Sequence, residues 1–431
     1  MAIRDIIAHK RDGGELGRGE IREAVEGCVN GDISDAQMAA LLMAIVLRGM
    51  TAEETAGLTL AMTDSGERLD LSPIPGIKVD KHSTGGVGDK TTLVVAPLVA
   101  SLGVPVPKMS GRSLGHTGGT IDKLESVPGL TTALSPERFC RQVAEIGVAI
   151  AAQTDNMVPA DKKIYALRDA TGTIESLPLI ASSVMSKKLA VGADAIVLDV
   201  KAGRGAFMPD VEQAQELAEA MVDIGRRAGR RVAALVTHMD QPLGTAVGDA
   251  VELIEAIETL AGRGPADFAG LCEVVAGHML ALGGAARDPE EGRVRARKAI
   301  ASEDGLAKLR EMLVAQGGSE QVLEDPSALV RQAERVPVLL DEDGYVVGID
   351  ARIVGLAVAE LKAACGEDRR TCGVLLHKKA GDLAVGEPVA TLLGPSGSVE
   401  ALARAAARVQ TAFEIGECAP VVPNPLARVV R

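Results

Sequence analysis

Two stretches of this 431-residue chain concentrate side chains that bind anions. The first is Lys81-His82-Ser83-Thr84-Gly85-Gly86-Val87-Gly88-Asp89-Lys90-Thr91-Thr92, set between a short apolar run and an apolar helical pattern. Glycines let a backbone approach an oxyanion closely, and the free N–H groups of a helix start favour negative charge. Hydroxyls and lysine ammoniums complete such a cradle. The loop has neither the G-x-x-x-x-G-K-[ST] nor the G-x-G-x-x-G spacing, so it is not a nucleotide or dinucleotide fingerprint. A bare glycine pair would read as a tight turn; Lys, His, Ser, Thr and three Gly packed together read as an anion site. The second stretch runs from Lys108 through Ser110, Arg112, His116 and Thr120 to Glu125, again after an apolar run. Two such loops at neighbouring strand ends face one crevice, which is where open α/β sheets take their ligands.

The surrounding pattern supplies the elements. The first sixty-odd residues read as helices, with capping-box pairs Ser34/Gln37 and Thr51/Glu54 before apolar residues at helical spacing. Gly66, Pro73, Pro75 and Gly76 mark a linker. Strands are expected at Ile77–Lys81, Val104–Met109, Ala195–Val200 and Val232–Thr237, and a helix from Ser135-Pro136 to about Ala149. Asp161–Leu189 is helical again. The chain therefore reads as α/β overall. A discontinuous helical domain takes residues 1–65 and 160–190, and an α/β domain with a mainly parallel sheet takes 77–154 and 193–335. Short alternating runs with glycine turns make 336–431 a β-rich α+β lobe.

Bulk properties narrow the function. A net charge of −13 with no Lys/Arg run argues against a nucleic-acid polymer as partner, though not against a small anion where cations converge. Six cysteines without a C-x-x-C pair suggest a reduced cytoplasm, and no apolar stretch is long enough to span a bilayer. With no Trp, two Tyr and four Phe, the core must be aliphatic.

The stretch S-G-R-S-L-G-H-T-G-G-T-I-D-K-L-E resembles the signature of the thymidine and pyrimidine-nucleoside phosphorylases, and K-H-S-T-G-G-V-G-D resembles their phosphate site. The likeness continues through P-A-D-K-K-I-Y-A-L-R-D-A-T-G-T-I-E-S, S-S-V-M-S-K-K-L-A and D-V-K-A-G-R-G-A-F-M into the C-terminal lobe. It implies reversible phosphorolysis of uridine, thymidine and deoxyuridine to free base and (deoxy)ribose 1-phosphate, with inorganic phosphate as co-substrate and no organic cofactor. Phosphate would be held by Lys81, Ser83, Thr92, Lys108, Ser110 and Thr120, and the pyrimidine by Arg168, Ser183 and Lys187. His82, Lys81, Arg168 and Lys187 are the expected catalytic set; Tyr165 and Leu114 would wall the base, and Arg112 and His116 would brace the second loop. A potassium ion would be bound by Gly88, residue 90, Leu243, Ala246 and Glu255, although Lys90 puts an ammonium where such members carry Thr. A homodimer through the helical domain is also implied.

Rival readings are a thymidine-restricted phosphorylase and, further off, a phosphoribosyltransferase of the anthranilate type, which would need acidic residues for magnesium and pyrophosphate. His377-Lys378-Lys379-Ala380-Gly381-Asp382 with Val385-Gly386-Glu387-Pro388 also resembles the hairpins of biotinyl and lipoyl carriers.

Overall fold

The computed structural model describes residues 2–113, 115–154 and 156–431. Leu114 lies outside the described residues. Four helices open the chain: α1 (Ile3–Arg11), α2 (Arg18–Asn30), α3 (Asp35–Arg48) and α4 (Ala52–Thr63). Both expected capping boxes form: Gln37 and Glu54 accept the backbone N–H of Ser34 and Thr51. Glu54 also pairs with the buried Lys10 at 2.6 Å, tying α1 to α4.

The α/β domain begins with β1 (Val79–Ser83), α5 (Thr91–Ser101), β2 (Val106–Ser110) and α6 (Thr120–Leu124), then α7 (Pro136–Ile146) and β3 (Val148–Ala152). The chain returns to the helical bundle for α8 (Pro159–Thr171) and α9 (Leu177–Val191), and comes back with β4 (Ala195–Ala202), α10 (Val211–Arg227) and β5 (Arg231–His238). β1, β4 and β5 are parallel neighbours, as are β2 and β3. The Val79 N–H bonds the Pro105 carbonyl at 2.9 Å and sets β2 beside β1. Strand side chains alternate between faces. Ala195 and Val197 of β4 pack towards α5, while Ile196, Leu198 and Val200 pack towards α9 and α10. Asp199 and Lys201 share the parity of Val197, so two charges point into the apolar α5 side.

Beyond β6 (Ala246–Val247) come α11 (Asp249–Leu260) and α12 (Ala266–Leu282), then three further helices. The lobe holds β7 (Glu334–Val338), β8 (Gly344–Ile349), β9 (Gly373–Leu376), β10 (Leu383–Ala384), β11 (Ala390–Gly394), β12 (Phe413–Gly416) and helices Ala351–Cys365 and Val399–Gln410.

Three features differ from the sequence reading. The helix expected to run to about Ala149 stops at Ile146, because Gly147 turns left-handed (φ +81°) and releases Val148–Ala152 as a strand. One side of β2, β3 and α7 (Met109, Ala149, Ala151, Phe139, Val143) packs into the helical bundle's core, so 77–154 is shared between two cores. Residues 336–431 are not one separate lobe either: β13 (Leu426–Val430) leaves it and pairs antiparallel with β5, and β6 crosses the other way to pair with β9. No helix among the described residues is long and apolar enough to cross a membrane.

Candidate active site

Ser83, Ser110 and Ala152 end three parallel strands, and the loops leaving the first two are the glycine-rich stretches. Lys81, third in β1, is fully buried, with its Nζ 3.5 Å from a carboxylate oxygen of Asp199 and no hydrogen-bonded partner. Asp199 is otherwise held by Lys201 at 2.8 Å and by the Thr237 hydroxyl at 2.7 Å. Where the first loop turns into α5, Asp89 accepts from the hydroxyls of Ser83 and Thr91, and its carbonyl takes the Lys123 ammonium at 2.6 Å. Burial opposes ionisation of Asp89, but Lys81, Lys201 and Lys123 outweigh it and hold the carboxyl well below the usual range. Thr92 is buried in the first turn of α5.

The second loop is built on the same plan. Lys108 donates to the Lys81 carbonyl at 2.6 Å and lies 3.9 Å from Asp80, which Lys188 of α9 reaches at 2.8 Å. Burial, with Lys188 and Lys81 beyond it, pushes the Lys108 ammonium well below its ordinary pKa against the pull of Asp80. Arg112 bridges Asp122 and Glu125, and the Ser113 N–H bonds Asp122, so Arg112 braces the loop as read. His116 bonds the Gly205 carbonyl at 3.2 Å and lies near the Phe207 ring. Thr120 starts α6. Six buried lysines (81, 90, 108, 123, 188 and 201) thus meet five buried carboxylates (Asp80, Asp89, Asp199, Glu252 and Glu255).

On the helical side, Lys187 bonds Asp161 at 2.5 Å and the Ser183 hydroxyl at 3.1 Å. Lys187 and Asp161 face Ser110 and Gly111 across a cavity of about 360 Å³, whose lining holds one expected phosphate ligand, Ser110, and one expected base ligand, Lys187. His82 stands close to both. Burial first, then Lys188, Lys108, Lys187 and Lys81, hold its pKa well below the ordinary value, so the imidazole is neutral. Arg168 departs from expectation. It is fully buried and does not line that cavity; its Nε, Nη1 and Nη2 donate to the carbonyls of Thr173, Leu179 and Ile174. In this conformation it shapes the α8–α9 turn, with the Tyr165 ring 5.7 Å away. The sequence reading missed Asp80, Asp199, Asp161 and Lys188; charges inside strands or helices carry no spacing signal, and only their burial exposes them.

The oxygens implied for potassium converge on the chain's own ammonium. Lys90 Nζ donates to the carbonyls of Leu243 (2.6 Å) and Ala246 (3.1 Å) and pairs with Glu255. A second unit charge 4 Å from it would be repelled by about 4 kcal/mol at an effective dielectric of 20. The residues therefore do not fit an added monovalent cation. Nor does the lysine pair of the C-terminal hairpin suit a carrier. Lys378 pairs with Glu387, and Lys379 is held by the carbonyls of Pro242 and Gly244 and by Asp267.

Comparison with known proteins agrees with this geometry. Residues 4–66 match the helical bundle domain, and residues 76–308 the a/b domain, of the glycosyl transferase family. The chain is 53% identical over 397 residues to a pyrimidine-nucleoside phosphorylase of Geobacillus stearothermophilus, covering 91% of this chain and 92% of the relative. It is 50% identical to that of Bacillus subtilis over the same shares. The anthranilate phosphoribosyltransferase of Thermus thermophilus aligns with a TM-score of 0.60 at 22% identity, over 72% of this chain and 99% of that one. That likeness shows a shared fold alone. Identity near one half along nine-tenths of the chain, with both glycine-rich loops at adjacent strand ends, shows that this chain belongs to the pyrimidine-nucleoside phosphorylase family.

Proposed function

We propose that the enzyme catalyses reversible phosphorolysis of uridine, thymidine and deoxyuridine, giving free base and α-(deoxy)ribose 1-phosphate. The observation that carries the reading is the buried Lys81 ammonium in β1, where the first loop begins, which has no hydrogen-bonded partner and lies 3.5 Å from Asp199. A buried ammonium whose N–H groups are unsatisfied is costly even beside a carboxylate, and a phosphate oxygen that accepts from it relieves that cost. Lys108, Ser83, Thr92, Ser110 and Thr120 complete the phosphate set. Ser83 must turn its hydroxyl from Asp89 to donate to phosphate.

Rupture of the N-glycosidic bond builds positive charge on the sugar and negative charge on the departing base. The phosphate oxygen attacks C1′ from the face opposite the base, so the β-nucleoside yields the α-1-phosphate. Lys187 donates to the carbonyl edge of the base as its charge grows, Ser183 orients it, and neutral His82 donates an N–H to base O2 or the ribose. Preorganised donors aimed at developing charge act without reorganising as the base leaves, which makes them a large part of catalysis. Arg168 serves by holding the turn behind the base. The exposed apolar Met43, Val46 and Leu47 of α3 support pairing of two subunits through the helical domain.

The test is incubation with uridine, thymidine or deoxyuridine, with and without phosphate. Base and sugar 1-phosphate should appear in equal amounts only with phosphate. Base release without phosphate would make the enzyme a hydrolase and overturn the reading.

A further inference from the structure

Lys90 closes the first glycine-rich loop and immediately precedes α5, and its side chain is fully buried. Its ammonium touches two backbone carbonyls and a carboxylate, and lies 4.9 Å from the centre of the Phe268 ring. Two glycines wrap it. A Cβ on Gly88 (φ +72°) would sit 2.6 Å from the Leu243 carbonyl oxygen and 3.2 Å from that of Ala246. A Cβ on Gly244 (φ +68°) would sit 2.8 Å from Lys90 Nζ itself. Carbonyls with one carboxylate form the donor set of an alkali cation, and a primary ammonium matches potassium in charge and closely in size.

We propose that the Lys90 ammonium is a permanent internal cation that takes the place of a bound alkali ion beneath the phosphate loop, and that this enzyme therefore needs no monovalent cation. The cation is covalently part of the loop it supports. Residue 90 follows the Gly85–Asp89 turn and precedes Thr91 and Thr92, so fixing its Nζ on the Leu243–Ala246 carbonyls pins the start of α5. The same receiving segment is also held by Lys379 of the C-terminal lobe, through the carbonyls of Pro242 and Gly244. Glu255 holds it too, accepting the Thr245 N–H at 2.9 Å. Loop, receiving segment and lobe are thus joined by two ammoniums that no change of salt can wash out.

The experiment compares wild type, Lys90→Thr and Lys90→Met in potassium chloride and in tetramethylammonium chloride at equal ionic strength, the latter cation being too large for the site. Melting temperature is read without reference to activity, so its outcome stands even if the nucleoside reading fails; the phosphate KM is read in parallel. Wild type should melt at the same temperature and show the same phosphate KM in both salts. Lys90→Thr removes the charge and supplies a hydroxyl oxygen. It should lose stability in tetramethylammonium and regain about 3–6 °C in potassium with a saturable midpoint, as mass action requires of a ligand that binds the folded state. Its phosphate KM should rise at least about tenfold in tetramethylammonium and recover with potassium. Lys90→Met, with neither charge nor ligand oxygen, should be weakened in both salts. Saturable stabilisation of wild type by potassium would overturn the proposal, and so would a Lys90→Thr variant that potassium does not rescue or that is undiminished without it. Should neither variant fold, the wild-type comparison alone decides.

Discussion

Lys187→Met distinguishes a charge that drives catalysis from one that only holds a carboxylate. Lys187 keeps 23% of its side chain exposed and bonds Asp161, whose second oxygen is buried without a partner. Removing the ammonium leaves Asp161 without its ion partner. A fully buried pair broken this way costs about 3–5 kcal/mol, and partial exposure of Lys187 reduces that to about 1–2 kcal/mol. Catalysis loses a charge-assisted hydrogen bond to a base leaving as an anion, roughly 1.5–3 kcal/mol, or about 10- to 150-fold in kcat. Because the bond strengthens as the base departs, kcat and kcat/KM should fall together. The double variant Lys187→Met/Asp161→Asn neutralises both partners and should recover most of the melting temperature while kcat stays low. Uracil release with saturating phosphate, followed beside thermal melts, gives both numbers. Recovery of kcat in the double variant would show that Lys187 acts only through Asp161, and an effect confined to nucleoside KM would show that it binds ground and transition states alike.

Lys81→Met should raise the phosphate KM about 10- to 100-fold with little change in melting temperature, since Asp199 keeps Lys201 and Thr237; an unchanged phosphate KM would remove the first loop from the anion site. Stability should fall on acidification through His278, whose burial on α12 lowers its pKa to about 4. The unfolded imidazole takes up its proton near pH 6.5 and the folded one only near 4, so this contribution is complete above 6.5 and lost as pH falls between them. At pH 5 the loss is about 2 kcal/mol. Urea unfolding at pH 7 and pH 5 should show a loss about 2 kcal/mol larger in wild type than in His278→Gln; equal pH slopes would refute it.

The parts of the site visible in the sequence were those whose residue types are themselves unusual. Lys81, Ser83, Lys108 and Ser110 stand beside glycines at strand ends, and nothing else explains that composition. The carboxylates that set their charge were not visible, because Asp80 and Asp199 sit inside strands and reveal themselves only when pairing buries them. In the sequence Arg168 stands as a base ligand on the motif alone; its carbonyl partners lie in the turn just downstream, and only the folded turn shows that they occupy it. The sequence pattern carries the helix to about Ala149 and marks no strand at Val148–Ala152, because five apolar residues have no period that separates strand from buried helix. β13 was missed for the opposite reason: Leu-Ala-Arg-Val-Val is too short and mixed to stand out, and its partner is nearly two hundred residues away.

That last strand has a consequence for how the protein keeps apart from its neighbours. Without it, β5 would be the bare margin of a parallel sheet, a row of open N–H and C=O groups flanked by Val232, Ala234 and Val236, and such margins template association between molecules. Residues 426–430 cover it, and Arg428, paired with Glu212 of α10, sets a charge beside the new margin. The strand thus works as a guard on solubility. Fraying of these few residues would make the protein sticky while Lys81, Lys108 and Lys187 stayed in place, so loss by clumping would come before any loss of chemistry.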